Sequence, residues 1–194
     1  MHPIYHTDAI VLGSAERGEA DKVFFLFTRE QGLLRVTATG IRKLASKLRY
    51  GLQDYDVASV GLVRGKNSWR LTSATPKRIF DARKKNLLKA FQNTSRLLAR
   101  MTPRETQESE LFDEILRIYQ SADILELTPH TVSDIALFSA VKTLSALGYL
   151  SDDVLPEEIL KTTDSPLPLA EVRLRRKSLM DAVKMSIESS HLIR

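Results

Sequence analysis

The apolar positions of the first 78 residues form short runs that end at glycine, proline or polar residues, which is typical of β-strands. The runs occupy residues 8–12, 23–27, 33–39, 54–63 and 69–74. The second run is apolar on both faces, as in a central strand, so we expect Phe25 and Phe27 to lie in the core.

The order of these runs favours a barrel. Residues 41–50 form an insertion between the third and fourth predicted strands, and this arrangement suggests the five-stranded OB-type barrel. A five-stranded SH3-like barrel or an open sheet would give a similar strand count, so the strand pattern alone leaves these alternatives open.

From about residue 81 the apolar positions follow the i, i+3, i+4 spacing of amphipathic helices. Two apolar faces are formed by Leu87, Leu88, Phe91, Leu98 and Met101, and by Leu111, Phe112, Ile115, Ile118, Tyr119 and Ala122. Pro103 separates them. Thr128 and Pro129 predict the start of a third helix, and Gly148 its end.

The third predicted helix has few charges. Between residues 131 and 147 only Asp134 and Lys142 are charged, so we expect this helix at the centre of a small bundle. A short helical piece at 157–161 and a loop at 162–168 follow. A final helix is expected to be lined by Val172, Leu179, Met180, Val183 and Ile187.

These patterns predict an α+β multidomain protein. Residues 1–78 form a five-stranded OB-type β-barrel, and residues 79–194 form an α-helical bundle domain. Charge separates the same two regions: residues 1–78 carry 13 Lys and Arg against 7 Asp and Glu, and residues 79–194 carry 16 against 17. All of the excess positive charge therefore falls in the barrel, as expected of a module that binds a polyanion.

Composition bears on the cellular compartment. The chain has no cysteine, which excludes disulfides and thiolate metal sites and is compatible with a reducing compartment. No stretch approaches the ~20 apolar residues of a membrane helix, and no secretory signal is evident at the N-terminus. We therefore expect a cytoplasmic protein without a membrane partner.

Catalytic signals are weak. The histidines, at positions 2, 6, 130 and 191, stand apart from any serine or acid in a recognisable catalytic setting. The acidic group Glu16, Glu19 and Asp21 is interrupted by Arg17 and Lys22 and is better explained as a polar hairpin loop. There is no Walker A sequence, so we expect no enzyme activity, no cofactor and no metal.

Basic residues concentrate where an OB-type barrel binds its ligand. Such barrels use strands 2 and 3 with the loops that join strands 1 to 2 and 4 to 5. The predicted DNA-binding residues are Arg29, Arg35, Arg42, Lys43, Lys47, Arg49, Arg64, Lys66 and Arg70. A plain solvated surface is the alternative, and the lack of excess charge in the second domain argues against it.

Single strands are held by phosphate neutralisation and by stacking of bases on aromatic rings. Tyr50, Tyr55 and Trp69 are the candidates for stacking. Most aromatic residues of a small barrel belong to its core, and for Tyr50 and Trp69 the two interpretations are about equally supported.

The sequence resembles the RecO family of bacterial recombination mediators. The resemblance is carried, in family order, by residues 7–12 (TDAIVL), 18–23 (GEADKV), 26–32 (LFTREQG), 34–36 (LRV), 40–43 (GIRK), 46–49 (SKLR), 52–53 (LQ), 64–66 (RGK), 69–71 (WRL), 110–112 (ELF) and 144–149 (LSALGY). Each piece alone is weak, but the ordered set is fairly specific and favours the OB-type barrel over its alternatives.

The resemblance implies a protein of DNA repair and recombination. It implies binding of single- and double-stranded DNA, annealing of complementary strands, and loading of recombinase onto strands coated by single-strand-binding protein. The implied partners are RecR, the acidic and hydrophobic C-terminal tail of single-strand-binding protein and, indirectly, the recombinase RecA. It also implies a place on the bacterial nucleoid and a DNA role for the basic residues from Arg29 to Arg49.

Two departures from the family are visible. Many members carry a four-cysteine zinc site after the LSALGY segment, and this chain has none, so zinc is not expected. The region beyond Asp153 is short and matches poorly, although Arg173, Arg175, Arg176 and Lys177 form a basic cluster there that would suit an acidic tail. A solvated helix face is the simpler explanation of that cluster.

Two other functions remain open at this point. An RNA-binding OB-fold protein would use the same barrel and charges, since no feature of the sequence indicates recognition of the 2′-hydroxyl group that distinguishes RNA from DNA. An enzyme whose site assembles from dispersed carboxylates is the third and weakest hypothesis.

Overall fold

The computed structural model describes residues 3–66, 68–77, 84–151, 155–160 and 166–190. The side chain of Arg49 and residues 162–165 of the predicted loop lie outside this description. The chain divides into two compact units, which are Met1–Ile79 with Thr102–Phe112, and Phe80–Met101 with Asp113–Arg194. The first unit thus includes a segment that lies beyond the boundary predicted at residue 78.

Five strands form a closed barrel in the first unit. They are β1 (Ile4–Arg17), β2 (Asp21–Thr28), β3 (Gly32–Ala38), β4 (Val57–Arg64) and β5 (Trp69–Lys77). The strand order is β1-β2-β3-β5-β4, and all neighbours are antiparallel except β3 and β5. A short 3-10 helix, Lys47–Tyr50, lies between β3 and β4. This is the OB-type barrel that the sequence predicts.

The barrel interior follows from the period-2 alternation of its strands. Phe24 and Leu26 of β2 and Leu34 and Val36 of β3 are buried inside, whereas Arg35 between the latter two is exposed. The connection from β3 to β4 is held to this core by three residues, which are Ile41, Leu48 and Leu52. The segment 42–50 is therefore an anchored loop, and its residues Arg42, Lys43 and Lys47 are exposed.

The helices of the second unit surround a central one. They are α1 (Lys85–Met101), α2 (Ser109–Asp123, whose first turn belongs to the barrel unit), α3 (Pro129–Ala146), α4 (Glu157–Leu160), α5 (Leu169–Leu174) and α6 (Arg176–Ser189). Helix α3 begins as predicted: the Thr128 hydroxyl accepts the Thr131 N–H at 3.1 Å, and Pro129 follows the cap. Its burial around most of the circumference confirms its central position.

The predicted final helix is wrong in one respect, because it is broken into α5 and α6 at Arg175. Arg173 before the break and Arg176 after it both bind the carboxylate of Asp134, at 2.8 Å and 2.6 Å. Asp134 is 1% exposed, and its ion pairs with Arg173 and Arg176 fix both α5 and α6 to α3. Met180, expected in the buried face, is half exposed.

Candidate nucleic-acid interface

A groove of about 550 Å³ lies on the outer face of β2 and β3. We call it the β2–β3 groove, and the residues that matter to its chemistry are Arg17, Phe25, Arg35, Trp69, Arg104 and Glu105. They come from the β1–β2 hairpin, the two central strands, the start of β5 and the segment 102–112. The groove therefore occupies the face and loops by which OB-type barrels bind oligonucleotides.

The floor of the groove pairs an aromatic ring with a cation. Phe25 and Arg35 are direct partners in the antiparallel β2–β3 register, and both point outwards. Phe25 is partly exposed rather than buried, so its expected core position is wrong. The error arises because Val23 and Phe27 on the same face are buried, and the run therefore looks apolar on both sides.

One end of this outer face is covered by the segment 102–112. Arg104 bridges to Leu33 of β3, and the Glu105 N–H donates to the Leu33 carbonyl at 3.2 Å. At the end of the segment, the rings of Phe112 and Phe27 pack with centroids 5.7 Å apart. Phe27 is thus buried as expected, although it points out of the barrel and is covered from outside.

Exposed guanidinium groups surround the open part of the groove. Arg17 reaches over from β1 and donates to the Thr37 hydroxyl of β3 at 3.3 Å. Arg35 and Arg104 are exposed, and within the described parts of the chain no ion pair holds either side chain. The sequence pattern does not indicate Arg104, because this residue follows a helix along the chain and contacts the barrel only in the folded protein.

Arg64 forms one rim. Its guanidinium carbon lies 5.5 Å from the centre of the Trp69 ring, and its Nη2 contacts the Glu105 carboxylate at 3.1 Å. Trp69 also meets the ring of Tyr5 edge-on at 5.3 Å. Since Trp69 is only 5% exposed, it supports Arg64 rather than offering a free face for base stacking.

Arg42 has a different environment from its basic neighbours. It contacts Glu16 at 3.1 Å and donates to the Gly18 carbonyl at 3.2 Å, so it clamps the β1–β2 loop. Lys43 and Lys47 are exposed, and we find no ion pair for them in the described ranges. These two lysines are therefore better placed than Arg42 to contact a phosphate directly.

The other predicted site residues are spread over the barrel. Arg29 lies in the β2–β3 turn beside Glu30, Lys66 in the β4–β5 loop, and Arg70 on β5 next to Thr37 in the parallel register. All three are exposed, but they do not line the groove. Tyr50, at the end of the 3-10 helix, is 75% exposed and remains a candidate for stacking.

Among the described residues, no cluster of three or more His, Cys, Asp or Glu side chains has the geometry to hold a metal ion. None of the helices described here combines the length and apolar character needed to cross a bilayer.

The barrel is similar in sequence to a known family of proteins. The family model described as "Recombination protein O N terminal" matches residues 1–80. The DNA repair protein RecO of Heliobacterium modesticaldum is 32% identical over 148 residues, and that of Thermodesulfovibrio yellowstonii is 30% identical over 156 residues. The chain belongs to the RecO family. Its barrel is the OB-type N-terminal domain of a RecO protein.

The chain spans only part of its RecO relatives. The two alignments cover 75% and 78% of this chain but 52% and 60% of the respective relatives. A third RecO protein, from Desulfitobacterium hafniense, is 38% identical over 77 residues, which are 40% of this chain and 28% of that protein. The family model matches the barrel region, and the two longer alignments extend beyond it.

Proposed function

We propose that this RecO protein binds single-stranded DNA in the β2–β3 groove and acts as a recombination mediator in DNA repair. The observation that carries the proposal is the outward-facing pair of Phe25 and Arg35, flanked by Arg17 and Arg104. A single strand needs a ring on which a base can stack and cations that follow its phosphates, and the groove offers both.

Double-stranded DNA requires a longer basic surface, because a protein that makes no base contacts binds a duplex through its phosphates. We assign this role to the exposed cations outside the groove, with Lys43, Lys47, Lys66 and Arg70 as the main contributors. Annealing would follow from neutralising two strands on one protein. It needs no catalytic residue, and the proposed protein works without chemical turnover.

The proposed partners are those of a mediator: RecR, single-strand-binding protein and, through them, the recombinase RecA. On the helical unit, Leu137, Met180, Val183 and Ile187 line an apolar groove with the cations Arg176 and Lys184 and the carboxylate of Glu188 at its edge. This chemistry suits the acidic, hydrophobic tail of single-strand-binding protein. We place such a protein on the bacterial nucleoid, in the cytoplasm.

The proposal is tested by fluorescence annealing of complementary DNA strands, bare and coated with single-strand-binding protein. We expect faster annealing of both, and slower annealing by Arg35→Ala than by the wild type. The matched control is Lys89→Ala, which removes an exposed cation from α1. Acceleration of bare strands alone would refute the mediator role, and no binding of DNA at low salt would refute the whole proposal.

A second candidate is an RNA-binding OB-fold protein, which the same groove chemistry would allow. Competition between DNA and RNA oligomers of matched sequence separates the two. If RNA displaced bound DNA at equal or lower concentration, the RNA function would replace the one proposed here.

A further inference from the structure

Two acidic residues line the β2–β3 groove although a DNA-binding surface needs neither, and of these Glu16 is paired with Arg42. Glu105 lines the groove, and its carboxylate contacts Arg64 at the rim at 3.1 Å. The Arg64 and Glu105 side chains are 61% and 50% exposed. An ion pair this accessible to water adds little stability to the fold, so its two partners exchange readily with other ions.

The position of Glu105 is set by the backbone and not by the ion pair. Its N–H is bonded to the Leu33 carbonyl, and the preceding Arg104 bridges to the same strand. Glu105 itself has φ of 54°, a left-handed conformation that glutamate rarely adopts. The carboxylate is therefore presented to the groove by a segment tied to β3 and would stay there if Arg64 moved away.

Arg64 also has a second support. Its guanidinium lies over the Trp69 ring, and this contact does not depend on Glu105. A guanidinium on an aromatic ring with an exposed carboxylate partner is prepared to accept another anion. Phosphate is a strong alternative, because arginine binds it through two parallel hydrogen bonds.

We propose that Glu105 is an internal competitor of nucleic acid, which occupies Arg64 in the free protein and is displaced by a phosphate of the bound strand. This inference rests on the proposed function and adds a regulation of the same site. Because each binding event must break the Arg64–Glu105 pair, affinity is lowered and release is faster. A protein that must hand its strand to another needs such reversibility.

The test is a double-mutant cycle on Arg64 and Glu105. Binding of a labelled oligothymidylate of about 20 nucleotides is followed by fluorescence anisotropy at low salt. Glu105→Gln should tighten binding roughly two- to fivefold, the equilibrium factor that corresponds to an exposed ion pair. Arg64→Met should weaken binding, and in that background Glu105→Gln should have no further effect.

A matched control separates competition from a general loss of negative charge. Asp8 pairs with Lys77 at 2.7 Å in the same unit, and neither residue lines the groove. Asp8→Asn should leave the affinity unchanged. Urea unfolding followed by far-UV circular dichroism verifies that each variant keeps its fold, since Arg64 lies over the Trp69 ring and its replacement would change the emission of that ring directly.

The outcomes separate this inference from the proposed function. If the wild type binds the oligomer but Glu105→Gln is no tighter, or if its gain persists with Arg64→Met, the inference is wrong and the proposed function stands. An equal gain from Asp8→Asn also overturns it. If the wild type does not bind at all, the proposed function fails and this inference fails with it.

Discussion

Phe25 and Arg35 stand opposite each other across β2 and β3, with both side chains on the outer face of the barrel. Cross-strand neighbours in an antiparallel pair are close enough to act on one ligand group. A base that stacks on Phe25 would therefore bring its own phosphate within reach of Arg35. The two residues should contribute to binding in ways that salt can separate.

We predict that Phe25→Leu weakens binding of single-stranded DNA by about 1–3 kcal/mol, the contribution of one stacked base. The slope of log affinity against log salt should not change, because no charge is lost. Arg35→Ala should instead reduce that slope by about 0.7, the value for one phosphate contact on a single strand. The measurement is anisotropy over a salt series, and a changed slope for Phe25→Leu would contradict the stacking role.

Gly32 joins the barrel to the segment 102–112. A Cβ at this position would lie 1.8 Å from the Thr106 carbonyl oxygen, and Gly32 has φ of 65°. Gly18 has a similar φ of 59° but open space around it. We predict that Gly18→Ala lowers the free energy of unfolding by about 1–2 kcal/mol, whereas Gly32→Ala lowers it by about 3 kcal/mol or more. Equal losses in urea unfolding would show that the segment does not pack as described.

Arg42 is predicted to act by holding the β1–β2 loop through Glu16 and Gly18. Arg42→Ala should weaken DNA binding and speed amide hydrogen exchange in residues 16–21, because the clamp on this loop is lost. Lys43→Ala should weaken binding without changing that exchange. The same exchange pattern in both variants would mean that Arg42 contacts phosphate directly, as its neighbours are proposed to do.

The buried carboxylate of Asp134 has two arginine partners. Either Arg173→Ala or Arg176→Ala leaves one cation in place, so each single change should reduce the free energy of unfolding by about 1 kcal/mol. The double variant leaves a buried charge uncompensated and should lose about 3–5 kcal/mol. Denaturant unfolding of all four proteins tests this, and strictly additive losses would contradict shared support of one carboxylate.

Burial raises the pKa of Tyr119 to about 12, against the lowering effect of its hydrogen bonds with Thr94 and Ser139. The unfolded chain releases this proton near pH 10, while the folded protein keeps it to about pH 12. Unfolding therefore becomes easier between these values, by about 1.4 kcal/mol per pH unit from this group. We predict that Tyr119→Phe is less sensitive than the wild type when urea unfolding is compared at about pH 9 and pH 11.

The sequence predicts those features that depend on neighbours along the chain. The five strands and the Thr128 cap are confirmed, because alternation and capping are local signals. The position of Phe25 was predicted incorrectly, because the alternation of residues along β2 does not reveal that the covering segment 102–112 stops short of this side chain. The break at Arg175 depends on Asp134, which is distant in sequence and reached only after folding.

The candidate site shows the same division. Its basic residues on β3 and in the two loops follow from composition and strand order, whereas Arg104 and Glu105 do not. These two belong to a stretch with no periodic pattern, and contacts with residues distant in sequence, such as Leu33, bring them to the groove. The partners of Arg42 and Arg64 also lie in other elements of the fold. Counting charges along the sequence therefore could not show which basic side chains are held in ion pairs.

The return of residues 102–112 to the barrel also affects how the protein can be divided. The chain passes between the two units at residues 79–80, 101–102 and 112–113. A fragment that ends at residue 80, where the match to the family model ends, would expose Phe27 and the backbone of Leu33 to solvent. Cleavage between residues 79 and 80 would separate the five strands covalently from the segment 102–112 that packs on them. The complete barrel unit therefore requires a fragment that extends at least to residue 112.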